Sequence, residues 1–464
     1  MSKKPNIVFV FGDQHRYSAL GCDGNRVVKS PVIDSIARDG VNFDAAFSSC
    51  PICSPYRATM LSGMYAHQHG VMCNEYKMKT TIPTLPGELK KAGYRSAYIG
   101  KWHLGEGPYG ESKRYGFDYM AAANCFHHYY NCEYFINETG PFTHPEWEPT
   151  ASTNYAIDFI KDHTGKHPDQ PFMMIMSWTP PHWPYDEYPQ EFNTYNPDTV
   201  DLPENVPVQM AEFARREIAN YYGMISALDA EMGRLMAALT ELGLDDNTIV
   251  VYTSDHGDHL SSHGMGKPFD KWLHHSMRGS KATPFEESIH IPFVIKWPGH
   301  IKSGIHTDVM FNSVDVMPTL LGLCGVPVPD SVAGRDLSFA MLGGKGDKPD
   351  SIFLQHLGTG WPNRLKWLGF WRGVRTEQYT YARWWNEEVE TRLFDREKDP
   401  QEMHNCFDDP EYAEIREQME ARLQQWLKET NDPFDWGERD NVKHMLKLGQ
   451  EFTSNKWDNV VPKL

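Results

Sequence analysis

Cys53 stands in the run Ser49-Cys50-Pro51-Ile52-Cys53-Ser54-Pro55-Tyr56-Arg57, with a proline two residues on and an arginine four residues on. Cys50 and Cys53 also form a C-x-x-C, which can be a thiol redox pair or half of a zinc site. The sequence has no second C-x-x-C, and thioredoxin-like redox domains are much smaller than 464 residues. A structural cysteine buried in a strand-to-helix turn is the remaining plain reading. Two other pairs suggest metal chemistry: Asp13-Gln14 and Asp255-His256 each follow a short apolar run of strand type. Together they offer two carboxylates, an amide oxygen and an imidazole, which suits a hard divalent cation such as calcium. Either aspartate alone could be a helix N-cap. The two pairs taken with the Cys53 run favour a metal centre.

The C-x-P-x-R pentapeptide, Cys53 to Arg57, resembles the signature of the type I (formylglycine-dependent) sulfatases of the alkaline phosphatase superfamily. The resemblance spans residues 5–430. It takes in Gly100-Lys101-Trp102-His103-Leu104-Gly105, Thr179-Pro180-Pro181-His182-Trp183-Pro184 and Ser254-Asp255-His256-Gly257-Asp258. It continues through His263-Gly264 to Lys281, ahead of Pro284-Phe285-Glu286-Glu287-Ser288. The resemblance implies that Cys53 is oxidised after synthesis to an aldehyde, formylglycine. A formylglycine-generating or anaerobic sulfatase-maturing enzyme is then a partner. One hydroxyl of the aldehyde hydrate attacks sulfur and expels the alcohol. The other loses its proton, the C=O re-forms and sulfate is eliminated, so covalent catalysis carries its own release step.

The same resemblance implies the remaining roles. Arg57, one helical turn past the nucleophile, would hold it by charge-assisted hydrogen bonds. Lys101 and Lys281 would bind the sulfate oxygens and stabilise the charge that grows there. His103 would position the hydrated aldehyde and take its proton, and His182 would protonate the leaving alcohol. The Cys53-derived oxygen would join Asp13, Gln14, Asp255 and His256 around the ion, with manganese or magnesium as alternatives to calcium. His67 and His69 would support the nucleophile helix. The sequence departs from the family in three places. Many members carry Asp-Asp where Asp13-Gln14 stands, His256 adds a nitrogen ligand that leaves room for manganese, and residues 265–280 look like an insertion. Lys281 is therefore taken as the family lysine, with Lys267 as the fallback.

Lys101 and His103 favour a sulfate monoester over phosphonate monoesters or phosphodiesters, whose hydrolases share the fold and tend to lack this pair. Aromatic and histidine residues cluster at Phe126-His127-His128-Tyr129-Tyr130, at Trp272, His274 and His275, around Trp361 and Trp367, and at Trp384-Trp385. Flat aromatic faces beside polar groups suit sugar rings; packing between subdomains is the other reading. His127, His128, His274, His275 and Trp361 are the substrate-binding candidates. The expected substrate is a sulfated carbohydrate, small or oligomeric, with aryl and choline sulfates as alternatives. Tyr56 fills a position where small residues are common. If Cys53 escapes oxidation, the protein becomes a silent sulfated-glycan binder.

These residues need a large scaffold. The chain is 40% hydrophobic, enough for a sizeable core. Its net charge of −17 excludes a general nucleic-acid binder and requires a local positive pocket for any anionic substrate. The eight cysteines are too scattered for a disulfide framework, although Cys125 and Cys132 could pair. No apolar run is long enough to span a membrane. Met1 to Pro5 lead straight into a strand without a signal peptide. This fits a cytoplasmic protein, or a periplasmic or secreted one whose leader has been removed.

Apolar runs at 6–11, 96–99, 172–176, 248–253 and 291–295 alternate with helical patterns at 31–39, 84–91, 153–162 and 211–242. The alternation predicts an α/β domain over residues 1–345, a large, mostly parallel sheet flanked by helices, with its ligand site beyond the carboxyl ends of the strands. Residues 346–464 read as a smaller subdomain. Strands at 351–355, 367–374 and 378–384 form an antiparallel sheet, and a helix at 412–430 covers it. Residues 432–464 are mixed and polar and receive no element.

Overall fold

The computed structural model describes residues 4–74, 76–126, 128–264, 281–357, 370–385 and 390–434. Ten strands form one sheet in the order β11-β2-β10-β9-β1-β8-β4-β5-β6-β7. In chain order these are β1 (Asn6–Asp13), β2 (Val41–Phe43), β4 (Arg95–Lys101), β5 (Tyr119–Ala123), β6 (Cys132–Ile136), β7 (Thr139–His144), β8 (Phe172–Pro181), β9 (Thr248–Ser254), β10 (Phe293–Lys296) and β11 (Ile305–Thr307). A two-stranded ladder joins β3 (Ala46–Phe47) to β12 (Phe311–Asn312).

The centre of the large sheet, β9-β1-β8-β4-β5, is parallel. Its strands are continuous apolar runs because helices cover both faces: every residue of β1, β8 and β9 is buried. The run at 291–295 yields β10, which pairs antiparallel with β9. A hairpin of β6 and β7 extends the other edge, and its weak apolar pattern hid it from the sequence reading.

The second sheet runs β13 (Ser351–His356), β14 (Trp371–Thr376), β15 (Tyr379–Trp384) and β16 (Arg392–Asp395), all antiparallel. Three strands were expected; the short β16 is the addition. The helix Ala413–Glu429 covers this sheet. Met419, Leu423, Trp426 and Leu427 repeat every three or four residues, so they form one buried stripe, each contributing roughly 1.5–3 kcal/mol. The second sheet joins the segments beside the large one where Gln355 N–H donates to Ser49 O (2.8 Å) and where Arg375 pairs with Glu286 (2.7 Å). None of the eight cysteines forms a disulfide, so neither Cys125 with Cys132 nor Cys50 with Cys53 is bridged. Among the described residues no helix is long and apolar enough to cross a membrane.

His69 lies under the helix Cys53–Ser62. Its Nδ1 accepts Val71 N–H (3.1 Å), which leaves Nε2–H to donate to Thr59 Oγ1 (3.0 Å). Only the neutral ring fits both bonds, and burial, with the nearby His67, pulls its pKa down to about 3. The unfolded chain takes up this proton near pH 6.5 and the folded chain does not. His69 therefore contributes stability above pH 6.5 that is lost as pH falls. The stability gap between the wild type and His69→Gln should be widest above pH 6.5. Below it the gap should narrow by about 1.4 kcal/mol per pH unit. Urea unfolding of both proteins from pH 7.5 to 4.5 measures it, and a gap independent of pH would contradict the assignment.

Candidate active site

The carboxyl ends of β1, β4, β8 and β9 lie on one edge of the sheet: Asp13 and Lys101 end β1 and β4, and His182 and Asp255 directly follow β8 and β9. Gly100 makes the approach possible. Its φ is +96°, and a Cβ there would sit 2.1 Å from Ser177 O, so β4 can lie against β8 at this point only with glycine. Opposite this edge, Cys53 opens the helix Cys53–Ser62, which is buried on all sides. Ser54 N–H donates to Asn74 Oδ1 (3.0 Å) and Ser54 Oγ–H donates to His103 O (2.6 Å). These bonds pin the first turn and bring the Lys101–His103 loop beside it.

Cys53 Sγ is 3.1 Å from Lys281 Nζ, 3.3 Å from His256 Nε2 and 3.6 Å from Asp13 Oδ1. Burial and Asp13 push the thiol up, but Lys281, Lys101 and His256 outweigh them and hold it well below the usual range. Lys101 Nζ pairs with Asp13 Oδ2 at 2.6 Å, both groups buried. In a chain of net charge −17, two ammonium groups face one buried cysteine.

Asp13, Cys53, Asp255 and His256 place one donor atom each within 4.8 Å of one another. His256 Nδ1 donates to Gly257 O (3.0 Å), so its Nε2 lone pair points at this cluster. Burial raises the Asp255 pKa and the charge of Asp13 raises it further; Asp13 itself is held down, against burial, by Lys101, Lys281, His182 and Arg57. Two crowded carboxylates and an oriented imidazole fit a divalent cation. A second group, His263, Glu287 and Glu402, also brings donor atoms within 4.8 Å. There Arg16 lies 3.8 Å from Glu287 and Arg396 lies 3.7 Å from Glu402, so charge balance comes from arginine.

Arg57 sits one turn past Cys53, but its hydrogen bonds run elsewhere. Nη2 donates to Asp13 (3.0 Å) and Asp255 (3.4 Å), and Nη1 donates to Lys101 O (2.5 Å), Ser177 Oγ (2.7 Å) and Tyr98 OH (3.0 Å). It braces the two carboxylates and the β4 end rather than holding the nucleophile, because its side chain is long enough to pass Cys53 and reach the sheet. Gln14 Oε1 accepts from Lys281 Nζ (2.9 Å). His182 Nδ1 donates to Trp183 O (2.6 Å), which leaves Nε2 outside that bond.

Among the aromatic candidates, Tyr129 is buried and donates to His182 O and Trp183 O (2.9 Å to the latter), so it braces the His182 loop. Trp384 packs on Trp371. His128 is exposed ahead of β6. His127, His274, His275, Trp361, Trp272, Trp367 and the fallback Lys267 lie outside the described residues. His67 bonds Gln355 and Thr430, tying the nucleophile region to the second sheet, whereas His69 supports the helix directly. Sequence reasoning assigned no role to Asn74 or Tyr185. Asp258 stood in the quoted Asp255-to-Asp258 run without one.

The sheet edge thus gathers two lysines, two carboxylates and an imidazole around the buried Cys53. The chain belongs to the sulfatase family of the alkaline phosphatase superfamily and is a sulfatase. The sulfatase family model matches residues 5–326, and that of the N-sulphoglucosamine sulphohydrolase C-terminal region matches 279–429. An ulvan-active sulfatase of Formosa agariphila is 33% identical over 98% of this chain and 86% of its own. An endo-4-O-sulfatase of Bacteroides thetaiotaomicron is 29% identical, covering 93% and 94%. BT4656, solved with its substrate D-glucosamine-2-N,6-O-disulfate, superposes with a TM-score of 0.84 over 94% of this chain and 100% of that one, at 23% identity.

Proposed function

We propose that this sulfatase removes sulfate from a sulfated carbohydrate, using a formylglycine made from Cys53 and a divalent cation, calcium first, held by Asp13, Asp255, His256 and Gln14. The observation that carries the reading is the pair of ammonium groups, Lys281 and Lys101, set against Cys53 and Asp13 at 3.1 and 2.6 Å. The ulvan-active sulfatase, an N-acetylglucosamine-6-O-sulfatase of Bacteroides thetaiotaomicron and BT4656 with its glucosamine disulfate support a sugar as the alcohol, while an arylsulfatase and a steryl-sulfatase among the relatives name other alcohols. A bound cation would offset the two carboxylates and polarise a sulfate oxygen. The hydrated aldehyde would supply the nucleophilic oxygen and the release step, and its formation needs the maturation enzyme as partner.

The chain's own residues do the rest. Lys101 and Lys281 bind and orient the sulfate oxygens and stabilise their growing charge. Arg57 keeps Asp13 and Asp255 in place. His182 faces the leaving oxygen through Nε2. Its pKa is pulled to about 3 by burial, then by Lys281 and Lys101. An anion held by those lysines offsets their charge, so the substrate raises the pKa of its own acid.

The test is a series of leaving groups with matured wild type and His182→Ala: sugar monosulfates, sulfated oligosaccharides and 4-nitrophenyl sulfate. Sugars should be the better substrates. The variant should lose about 10²–10⁴-fold on them and far less on the nitrophenyl ester, whose leaving group needs no proton. Efficient aryl turnover with no sugar turnover would sink the carbohydrate reading, and equal losses on both would contradict His182 as the acid.

A further inference from the structure

Each of the four polar groups of Gln14 has a partner. Its N–H donates to Asp255 Oδ1 (2.9 Å) and its C=O accepts from Tyr221 OH (2.6 Å). Its Oε1 accepts from Lys281 Nζ (2.9 Å) and its Nε2 donates to Asp258 Oδ2 (2.6 Å). Asp258 is fully buried, and the hydroxyl of Tyr185 and Leu260 N–H (3.0 Å) also donate to it. The two ends of a carboxamide have nearly the same shape and opposite hydrogen-bonding sense. Only one end, the oxygen, can serve a cation. We propose that Asp258 is a positioning residue for the metal centre: it takes the Gln14 NH₂ and so keeps the Gln14 oxygen turned toward the cation site. The inference rests on the metal reading above.

Lys281, a donor only, enforces the same orientation while its ammonium is free. Once Lys281 holds the sulfate, that constraint weakens, and the Asp258 bond persists. The pairing also accounts for the amide at position 14. A carboxylate there would face the buried Asp258 across about the same 2.6 Å, so the two would either repel or have to share a proton. An amide at 14 and a carboxylate at 258 are therefore a matched pair.

Calcium titration calorimetry on the full chain, with inorganic sulfate present to occupy Lys281, tests this without any turnover. Asp258→Asn keeps the shape but lets either end of Gln14 point inward. Calcium affinity should fall by about 10–100-fold, as it does when outer partners of a metal ligand are removed. Gln14→Ala should fall at least as far. The double variant should bind no worse than Gln14→Ala alone, because Asp258 acts only through Gln14. Gln14→Glu is a second handle that leaves Asp258 in place. It adds a negative charge beside the ion yet should weaken binding, because the new carboxylate opposes Asp258.

Wild-type affinity in Asp258→Asn, multiplied losses in the double variant, or tighter binding by Gln14→Glu would each overturn the inference while leaving the metal reading standing. A wild type that binds no divalent ion would overturn both.

Discussion

Cys53→Ala should fold, bind calcium more weakly, and show no sulfate-ester hydrolysis, a loss of at least about 10⁴-fold in kcat. The fold should survive because the bonds that set the nucleophile helix belong to other residues. Ser54 is pinned by Asn74 and by His103 O, and Gly63 closes the helix in the left-handed region at φ +64°. The substitution removes one sulfur atom from a site where it touches Lys281, His256 and Asp13, so it takes away the reacting atom and little packing. Rates with matured wild type and variant on the best sugar sulfate measure the effect. The companion measurement is the mass of the tryptic fragment containing Cys53, from protein made beside a maturation enzyme. A fragment lighter by about 18 Da, sulfur replaced by oxygen with two hydrogens lost, is expected for the aldehyde. Turnover by Cys53→Ala, or by protein whose Cys53 is unmodified, would remove the aldehyde from the mechanism. An unmodified cysteine with full sulfated-glycan affinity and no turnover would favour a binding protein.

Lys101→Ala carries the second-largest expected effect because it removes two things at once. The ammonium pairs with Asp13 at 2.6 Å in a place water does not reach. Its loss leaves Asp13 with Arg57 as its nearest remaining cation, and breaking such a buried pair costs about 3–5 kcal/mol of stability. The sulfate also loses a preorganised positive partner, so kcat/KM should fall by about 10²–10³-fold. The two losses separate experimentally. Calcium bound at Asp13 should restore much of the stability, because it supplies the missing positive charge, whereas kcat/KM should stay low at saturating calcium. Urea unfolding with and without calcium, beside steady-state kinetics, checks both. An unchanged kcat/KM would refute the role of Lys101 in holding sulfate.

The buried strands were legible as continuous apolar runs, since a strand covered on both faces has no polar positions to interrupt it. β1, β8 and β9 therefore stood out. The hairpin of β6 and β7 did not, because β7 is an exposed edge strand and has no apolar signature. β16, with four residues, is too short to show a period.

The site divides in the same way. Cys53, Lys101, His103, His182, Asp255 and His256 were singled out because each lies in a short motif of the family, and the structure gathers Cys53, Asp255 and His256 around Asp13. Lys281 was taken as the family lysine through the Pro284–Ser288 run that follows it, and the structure places its Nζ 3.1 Å from Cys53 Sγ. The destination of the Arg57 side chain was not legible, because a motif states spacing along one helix and not which strand ends lie across from it. The partnership of Gln14 with Asp258 joins positions 244 residues apart, and no local pattern records it.

The sequence by itself determined the family and singled out Cys53 and the Asp13, Asp255 and His256 cluster, because each lies in a short local motif that the chain shares with that family. The tertiary structure alone decided which groups share charge: Lys101 with Asp13, Arg57 with both carboxylates, and Gln14 between Lys281 and Asp258. The physical reason is range. Hydrogen bonds and buried ion pairs act over about 3–4 Å of space, and the order of residues along the chain leaves that separation open until the sheet has brought its strand ends together.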